Sequence, residues 1–164
     1  PVDVVLFLGS ATDFQHLRPA VEVLRQLGVP FQLRVTSAHR TPRRTEELVR
    51  EAEAAGCRVF ICAAGMAAHL AGVVASLTTR PVLGVPMPGG VLDGVDALLS
   101  TVQMPKGVPV ATMGLGKAGG SNAALLAVEI LAVRNPRLRK KLVDYRKSLA
   151  DQVEDASRKI HPPK

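Results

Sequence analysis

The fold of this chain is decided by its first strand–helix–strand stretch, residues 2–36, which reads VDVVLFLGSATDFQHLRPAVEVLRQLGVPFQLRVT. Val2–Leu8 is a nearly unbroken apolar run, as is typical of a strand buried on both faces. Phe14–Leu27 carries apolar residues at helical spacing and is followed by Gly28, a common helix stop. Phe31–Thr36 is a second strand candidate. The stretch therefore predicts a parallel βαβ unit with a right-handed crossover.

The alternation of strands and helices continues to Val133. We predict a helix at Pro42–Ala55, a strand at Arg58–Ala63, a helix at Ala67–Leu77, strands at Pro81–Val85 and Val108–Met113, and a helix at Ser121–Val133. This order predicts a three-layer αβα sandwich around a parallel, flavodoxin-like doubly wound sheet. We expect a single domain over residues 1–164, with the αβα core at 1–133. Residues 134–164 form an extra helix, from Pro136 to about Ser157, and a frayed end at Ile160–Lys164.

The positive charge is concentrated in that C-terminal segment. The 164 residues include 21 Lys and Arg against 14 Asp and Glu, a formal net charge of +7. Residues 134–164 hold 10 basic and 4 acidic residues, net +6, which leaves 11 against 10, net +1, for residues 1–133. With four Phe, one Tyr and no Trp, the chain also lacks the aromatic platforms that bind single-stranded nucleic acid. We therefore expect no nucleic-acid partner.

The cysteines and the lengths of the apolar runs indicate where in the cell the protein is located. Cys57 and Cys62 lie five residues apart in an apolar stretch, too few and too close for a disulfide framework or a metal site, so we expect buried, reduced thiols. No N-terminal signal pattern is present, and no apolar run approaches the roughly 20 residues of a membrane helix. These features predict a cytoplasmic protein with no membrane partner.

Ligands of open parallel sheets bind beyond the carboxyl ends of the strands, so the turns after the strands are the candidate sites. The first turn, Gly9–Asp13, places two hydroxyls and a carboxylate at a helix start. Ser10 and the free backbone N–H groups there suit a phosphate, whereas Asp13 suits sugar hydroxyls. Taken alone, these side chains are more often helix caps. Together they predict a phosphosugar site.

The second and third turns add proton-transfer and phosphate-binding side chains. After the second strand come Ser37, His39 and Arg40, a hydroxyl, an imidazole that exchanges protons near neutral pH, and a guanidinium that can hold a phosphate. An exposed loop with Ser37 or Thr41 as a cap is the alternative. The third turn, Ala64–Leu70, is small and apolar apart from His69, as would suit a flat ligand. A structural role for His69 is the alternative there.

The remaining histidines and the glycine-rich run are not expected to bind substrate. His16 and His161 have no supporting neighbours in the sequence and are expected at the surface. Gly114–Gly120 contains a lysine but lacks the Ser or Thr that follows Lys in a nucleotide-binding P-loop. An ATP site is therefore not expected.

From Val4 to about Val133 the chain resembles the class I N5-carboxyaminoimidazole ribonucleotide mutases of purine biosynthesis, also called the catalytic subunit of phosphoribosylaminoimidazole carboxylase. The motifs that carry the resemblance are Gly9-Ser10-x-x-Asp13, Ser37-Ala38-His39-Arg40-Thr41-Pro42, Ala67-Ala68-His69-Leu70, Val102-Gln103-Met104-Pro105-x-Gly107-Val108-Pro109-Val110-Ala111-Thr112 and Gly116-Lys117-Ala118-Gly119. The third motif also separates the two classes. Class II enzymes, which carboxylate aminoimidazole ribonucleotide directly with CO₂, carry an Arg-Ser-Asn version of it.

The resemblance implies a reaction and a role for each matching residue. The carboxyl group moves from the exocyclic nitrogen of the substrate to carbon 4 of its imidazole ring, with no metal and no organic cofactor. Ser10, Ser37 and Arg40 match phosphate-binding positions, Asp13 matches the ribose-binding residue and His39 matches the general acid and base. The remaining substrate-binding positions are Gly9, Ala64, Gly65, Ala67, His69 and Leu70.

The resemblance also implies partners and leaves alternatives. It implies a homo-octamer with sites at subunit contacts, and functional coupling to an ATP-dependent synthetase that supplies the N-carboxylated nucleotide. We expect the stripe Leu138, Leu142, Tyr145 and Leu149 to dock the C-terminal helix on a neighbouring subunit. A direct carboxylase using CO₂, or a non-catalytic phosphosugar-binding protein, are the alternative functions.

Three positions and one segment depart from the usual pattern of the family. Thr12 replaces Ser, Met66 replaces Gly, Ala71 replaces Pro, and Met87–Gly90 replaces a segment that contains a Gln-Ser pair. Thr12 keeps its hydroxyl. Met66 and Met87–Gly90 border the expected carboxylate and CO₂ pocket, so they can change substrate preference or activity.

Overall fold

A computed structural model describes residues 1–160. Over this range the chain forms a five-stranded parallel sheet with the strand order β2-β1-β3-β4-β5, and six α-helices cover the sheet. The elements are β1 Val4–Leu8, α1 Phe14–Leu27, β2 Phe31–Val35, α2 Pro42–Ala54, β3 Val59–Ala64, α3 Leu70–Leu77, β4 Val82–Pro86, α4 Val95–Val102, β5 Ala111–Thr112, α5 Gly116–Ala132 and α6 Pro136–Ile160. The predicted αβα architecture with a parallel, doubly wound sheet and an extra C-terminal helix is confirmed.

The centre of the sheet is β1, which pairs in parallel with β2 on one side and with β3 on the other. The chain runs outward from β1 to β2, then returns past β1 to β3, so the strand order reverses between β1 and β3. All five residues of β1 are buried. Because a doubly wound sheet opens its ligand crevice where the strand order reverses, the turns after β1 and β3 lie in the expected position for a site.

Two apolar layers hold the helices against the sheet. On one face, Leu6 of β1 packs with residues of α1 and α5, including Leu24 and Ala127. On the other face, Phe7 packs with α2 and α3, and its ring stacks on Phe60 with the centroids 5.7 Å apart. Successive side chains of β1 therefore enter opposite layers, as the alternation of a strand requires. This burial from both sides explains why the strand lacks a polar face.

Several element boundaries differ from the sequence predictions. The α4 helix was missed because its exposed face carries Val95, Leu99 and Val102 whereas its buried face carries Ala97 and Thr101, the reverse of an amphipathic surface helix. The predicted strand Val108–Met113 is confined to β5, Ala111–Thr112. Pro109, which has no N–H to donate, lies in the part that is not paired.

The helices α5 and α6 are longer than predicted. We expected the fifth helix to start at Ser121, but α5 starts at Gly116, because Gly119 and Gly120 pack closely on neighbouring backbone instead of breaking the helix. The last helix extends to Ile160 rather than to about Ser157, so Ile160 is helical and not part of a frayed end. The rest of the predicted frayed end, residues 161–164, lies outside the described residues.

The start of α6 packs against the core, while its later part exposes apolar side chains. Leu138 and Leu142 are buried, and Lys141 Nζ donates a hydrogen bond of 2.7 Å to the Leu27 carbonyl at the end of α1. Farther along, Leu149 and Val153 are 43% and 69% exposed. Leu138 and Leu142, which were expected to dock on a neighbouring subunit, therefore pack within this chain instead, and Tyr145 packs beside them. The exposed apolar stripe of α6 lies beyond them and consists of Leu149, Val153 and Ile160.

The two thiols are buried within the sheet layers, as expected. Burial raises the pKa of Cys57 to about 11, and burial also raises the pKa of Cys62. Neither thiol is therefore a reactive thiolate near neutral pH. Among residues 1–160, no helix combines the length and the apolar character needed to cross a membrane.

Candidate active site

The predicted turns meet in one cleft at the carboxyl edge of the sheet. The cleft has a volume of about 600 Å³. It is lined by Gly9, Ser10, Thr12, Asp13, Ser37, Ala38, His39, Arg40, Ala64, Gly65, Met66, Ala67, His69, Leu70, Pro88, Gly89 and Gly90. Every residue that the sequence analysis placed in the site is among them. The turn after β4 contributes the last three residues and forms the far wall.

The first turn is a rigid cap as well as a candidate binding surface. Ser10 has extended backbone geometry, with φ −146°, and precedes the short 3₁₀ helix Ala11–Asp13. Its backbone N–H donates to Asp13 Oδ2 at 3.1 Å, and the Thr12 N–H donates to Ser10 Oγ at 3.4 Å. The helix-cap alternative is therefore correct in structural terms. It does not displace the binding role, because Ser10 and Asp13 both still line the cleft.

The Asp13 carboxylate is half-buried, and its environment opposes ionisation. Burial raises the pKa of Asp13 above its ordinary value of 3.8, although the Ser10 N–H and the nearby His16 act in the opposite direction. A carboxylate held away from bulk water is ready to accept hydrogen bonds from hydroxyl groups. His16, which was expected at the surface, is partly exposed and lies near this turn without lining the cleft. His161 lies outside the described residues.

Reciprocal hydrogen bonds hold the second turn. Ser37 N–H donates to Thr41 Oγ1 at 3.0 Å, and Thr41 N–H donates to the Ser37 carbonyl at 2.9 Å. The Arg40 N–H donates to Ser37 Oγ at 3.1 Å. The turn is therefore closed on itself, while the side chains of His39 and Arg40 remain exposed.

The third turn brings His69 to His39. Nε2 of His39 and Nδ1 of His69 lie 2.7 Å apart, and the two rings are nearly perpendicular at 86°. A hydrogen bond of this kind needs one nitrogen that carries hydrogen and one that does not, so one imidazole donates to the other. Sequence reasoning placed both residues in the site but missed their contact. One feature of the sequence could have indicated this contact: a histidine follows each of the two strands that flank β1.

Backbone contacts join the third turn to the turn after β4. The Met87 N–H donates to the Ala64 carbonyl at 2.9 Å, and Gly65 packs against Met87. Met66 has a positive φ of 55°, which is uncommon for a residue with a side chain. Its side chain lies against Gly90. Met66 and residues 88–90, which differ from the motifs described above, line this side of the cleft, whereas Met87 is buried behind them.

Two other features of the cleft region bear on the chemistry. Gly114–Gly120 does not form a phosphate loop, because Gly116–Gly120 are the first residues of α5. Among residues 1–160, no group of three or more His, Cys, Asp and Glu side chains is arranged to hold a metal ion.

The chain is similar to known proteins both in sequence and in fold. The sequence model of the AIR carboxylase family matches residues 3–152. A Methanocaldococcus jannaschii protein named N5-carboxyaminoimidazole ribonucleotide mutase is 49% identical over 96% of this chain and 96% of its own length. The mutase of the same name from Escherichia coli K12 is 46% identical over 93% of this chain and 90% of its own length. The crystal structure of Treponema denticola PurE superposes with a TM-score of 0.88 at 25% identity and covers 98% of this chain and 99% of that one.

Proposed function

Because the chain belongs to the AIR carboxylase family, we propose that it is an enzyme of purine biosynthesis that converts N5-carboxyaminoimidazole ribonucleotide to 4-carboxy-5-aminoimidazole ribonucleotide. The names of relatives that are 46–49% identical over more than 90% of the chain support this activity. The observation that carries the mechanism is the contact of His39 with His69, 2.7 Å apart, inside a cleft that also holds Ser10, Asp13 and Arg40. Two imidazoles in hydrogen-bond contact within the cleft are groups that can exchange protons with a substrate near neutral pH, which favours an enzyme over a binding protein.

In the proposed complex, the phosphate lies at the β1 and β2 turns. Ser10 and Ser37 offer hydroxyl donors, and the Arg40 guanidinium supplies the positive charge. The half-buried Asp13 accepts hydrogen bonds from the ribose hydroxyls. The base then extends toward the third turn, where Ala64, Gly65 and Ala67 leave room for a flat ring.

The proposed reaction uses His39 twice. Protonated His39 donates a proton to the exocyclic nitrogen as the bond from that nitrogen to the carboxyl carbon breaks, which releases CO₂ and aminoimidazole ribonucleotide. Carbon 4 of the ring then attacks the retained CO₂ and forms the new carbon–carbon bond. Neutral His39 removes the proton from carbon 4, which restores the aromatic ring and returns His39 to its protonated state. Atoms and charges balance, so the cycle needs no oxidant, reductant or further proton donor.

His69 supports this cycle through its hydrogen bond with His39. The hydrogen bond with His69 fixes the orientation of the His39 ring. It can also stabilise His39 in either protonation state during the cycle. The loop Gly65–Leu70 lines the same part of the cleft, and in the proposed complex exclusion of water there keeps CO₂ at the reacting carbon. The chemistry therefore depends on the position of one imidazole and on a dry neighbouring pocket.

The proposed activity is tested by following the carboxyl carbon. The purified protein is supplied with N5-carboxyaminoimidazole ribonucleotide that carries ¹³C in its carboxylate, in unlabelled bicarbonate buffer. We expect 4-carboxy-5-aminoimidazole ribonucleotide that keeps most of the label. Absence of this product would refute an enzymatic role, whereas a product whose label has equilibrated with the buffer would favour the direct carboxylase.

Asp13→Asn is expected to weaken nucleotide binding by about tenfold or more, because an amide replaces a charged acceptor of ribose hydroxyls. The same change is expected to maintain or raise the stability of the free protein at neutral pH. Burial raises the Asp13 pKa, so protonated Asp13 favours the folded state and this contribution is lost as the pH rises through the raised value. Asn keeps an oxygen for the Ser10 N–H but carries no charge.

The measurements for Asp13→Asn are calorimetric affinity for the product nucleotide and thermal unfolding at about pH 7 and about pH 4. The unfolding temperature of the variant minus that of the native protein is expected to be larger at about pH 7 than at about pH 4. Unchanged affinity would remove Asp13 from the ribose site. A variant that is relatively less stable at neutral pH would contradict the burial argument.

We also propose that the chain assembles as a homo-octamer, with sites near subunit contacts. Two exposed apolar faces support an assembly: Val95, Leu99 and Val102 on α4, and Leu149, Val153 and Ile160 on α6. Another side of the α4 helix adjoins the cleft, since Ser100 Oγ lies 3.5 Å from the Met66 carbonyl oxygen. Exposed apolar faces of this kind commonly mark sites of protein–protein contact.

The proposed substrate supports two further expectations. A phosphorylated nucleotide does not cross membranes unaided, which supports a cytoplasmic location. N-carboxylation of aminoimidazole ribonucleotide requires activation, so functional coupling to an ATP-dependent synthetase that makes the substrate is expected. Neither expectation requires a cofactor bound to this chain.

Val153→Glu is expected to raise the protomer concentration at which the assembly is half dissociated by about tenfold or more. The reason is that a charge replaces an apolar side chain on the exposed apolar stripe of α6. Val143→Glu is the matched control, since Val143 is 61% exposed, close to the 69% of Val153, but lies off that stripe. Mass photometry over a dilution series gives the assembly state of both variants. Equal behaviour of the two variants would show that the stripe does not dock a neighbour.

A further inference from the structure

Met66 adopts an uncommon backbone conformation at the edge of the cleft. Among residues 1–160, the only residues other than glycine with positive φ are Met66, at 55°, and Asp93, at 46°. A Cβ atom crowds the backbone in this region, which is why glycine is favoured there. Outliers of this kind persist where the surrounding structure holds them, and they cluster at functional sites.

The backbone around Met66 is held from two sides. The Met66 carbonyl accepts a hydrogen bond of 2.8 Å from the Ala68 N–H, and the next turn is tied to β3 by the bond from Met87 N–H to the Ala64 carbonyl. A Cβ built on Gly65 would lie 3.5 Å from the Met87 Cβ, so the two turns are already in van der Waals contact. The position of Met66 is therefore fixed by the wall between β3 and β4.

The Met66 side chain closes the space above the turn after β4. Gly90, with φ 68°, has no side chain, and a Cβ built there would lie 3.4 Å from Met66 Cγ. A side chain at residue 90 would therefore contact the Met66 side chain. Met66 is nevertheless 63% exposed, so it gains little from core packing. Core stability does not explain why a strained apolar residue is present here.

The chemistry of this wall suits CO₂ better than water. Met66 offers an apolar, polarisable thioether with no hydrogen-bond donor, and Gly89 and Gly90 add no polar side chain. The phosphate-binding candidates, Ser10 and Arg40, belong to the turns after β1 and β2, whereas Met66 and Gly90 belong to the turns after β3 and β4. In the proposed complex, which has the phosphate at the turns after β1 and β2, this wall lies at the end of the cleft that holds the base and its carboxyl group.

We propose that Met66, seated on Gly90, is the wall that retains CO₂ between its release from nitrogen and its capture by carbon 4. This inference rests on the proposed mutase function and deepens it. Met66 is then a specificity-determining residue that sets how often the carboxyl carbon is transferred and how often it escapes to solvent. The Met66 side chain neither donates nor accepts a proton in the reaction. It therefore affects the retention of CO₂ and not the proton-transfer steps.

The test compares Met66→Gly with Met66→Leu in the full-length protein. Glycine accepts a φ of 55° without strain, so Met66→Gly is expected to fold and to unfold at the same temperature or higher. Both variants and the native protein receive the ¹³C-carboxylated substrate in unlabelled bicarbonate with carbonic anhydrase present. The readouts are the fraction of label lost from the product and the amount of free aminoimidazole ribonucleotide, each corrected for spontaneous decarboxylation.

Met66→Gly is expected to raise the fraction of label lost by about threefold or more, because the apolar wall is open to solvent. Met66→Leu keeps an apolar side chain of similar volume and is expected to retain the label as the native protein does. Equal label loss in the native protein and Met66→Gly would overturn the inference. Loss of retention in Met66→Leu with a lowered unfolding temperature would also overturn it, by showing a packing role. If the native protein yields no C4-carboxylated product, the proposed function itself fails.

Discussion

His39→Asn is expected to lower the turnover of N5-carboxyaminoimidazole ribonucleotide by about a thousandfold or more, because general acid–base catalysis contributes on the order of 10²–10⁴ and His39 acts in two steps. Asn has a similar polar reach but exchanges no proton at neutral pH. The affinity for the product nucleotide is expected to stay within about threefold of the native value, since phosphate and ribose contacts remain.

The matched control for this change is His16→Asn. His16 is partly buried near the first turn but does not line the cleft, so its replacement is expected to change turnover by less than about threefold. Steady-state kinetics and calorimetric binding separate the two effects. Equal losses of binding and turnover in His39→Asn would show that His39 positions the nucleotide and does not transfer protons.

Gly119→Ala is expected to lower the free energy of unfolding by about 3 kcal/mol or more, or to prevent folding. A Cβ at this position would lie 1.6 Å from the Gly114 carbonyl oxygen and 2.5 Å from the Gly114 carbonyl carbon. Both atoms belong to the backbone, so no flexible side chain can move to relieve the overlap. The start of α5 would have to separate from the loop that precedes it.

Gly114→Ala is the matched control at the other end of the same contact. A Cβ built on Gly114 meets no atom within 4 Å, and its φ lies outside the region that only glycine favours. Its replacement is expected to change the free energy of unfolding by less than about 1 kcal/mol. Urea denaturation measures both variants. Similar stability of the two would contradict the assignment of Gly119 as a backbone contact.

The parts of the fold that the sequence predicts are those in which local pattern and tertiary role agree. The β1 run Val4–Leu8 is apolar at every position because both faces of the strand are covered, and α1 shows helical spacing because it has one buried face. The α4 helix could not be identified in this way, since its outward face is apolar. The apolar residues of α4 lie on the face that is exposed in the single chain. The sequence alone therefore does not indicate which face of this helix packs on the sheet.

The site was predictable as a set of residues but not as a set of contacts. Placement of the turns after β1, β2 and β3 follows from the rule for doubly wound sheets, and every predicted residue lines the cleft. The contact of His39 with His69 depends on side-chain conformations that reach across the width of β1, and no local pattern encodes it. The positive φ of Met66 was also hidden, because methionine carries no preference for that conformation.

The proposed mutase activity is tested most directly by a choice of carboxyl donor. The protein is supplied with N5-carboxyaminoimidazole ribonucleotide in one reaction and with aminoimidazole ribonucleotide plus bicarbonate in another, at equal nucleotide concentrations. Formation of 4-carboxy-5-aminoimidazole ribonucleotide is measured as an initial rate. We predict the faster rate, by about tenfold or more, with the N-carboxylated substrate, because its CO₂ is released directly beside carbon 4. A faster rate with aminoimidazole ribonucleotide and bicarbonate would contradict the mutase assignment and identify a direct carboxylase.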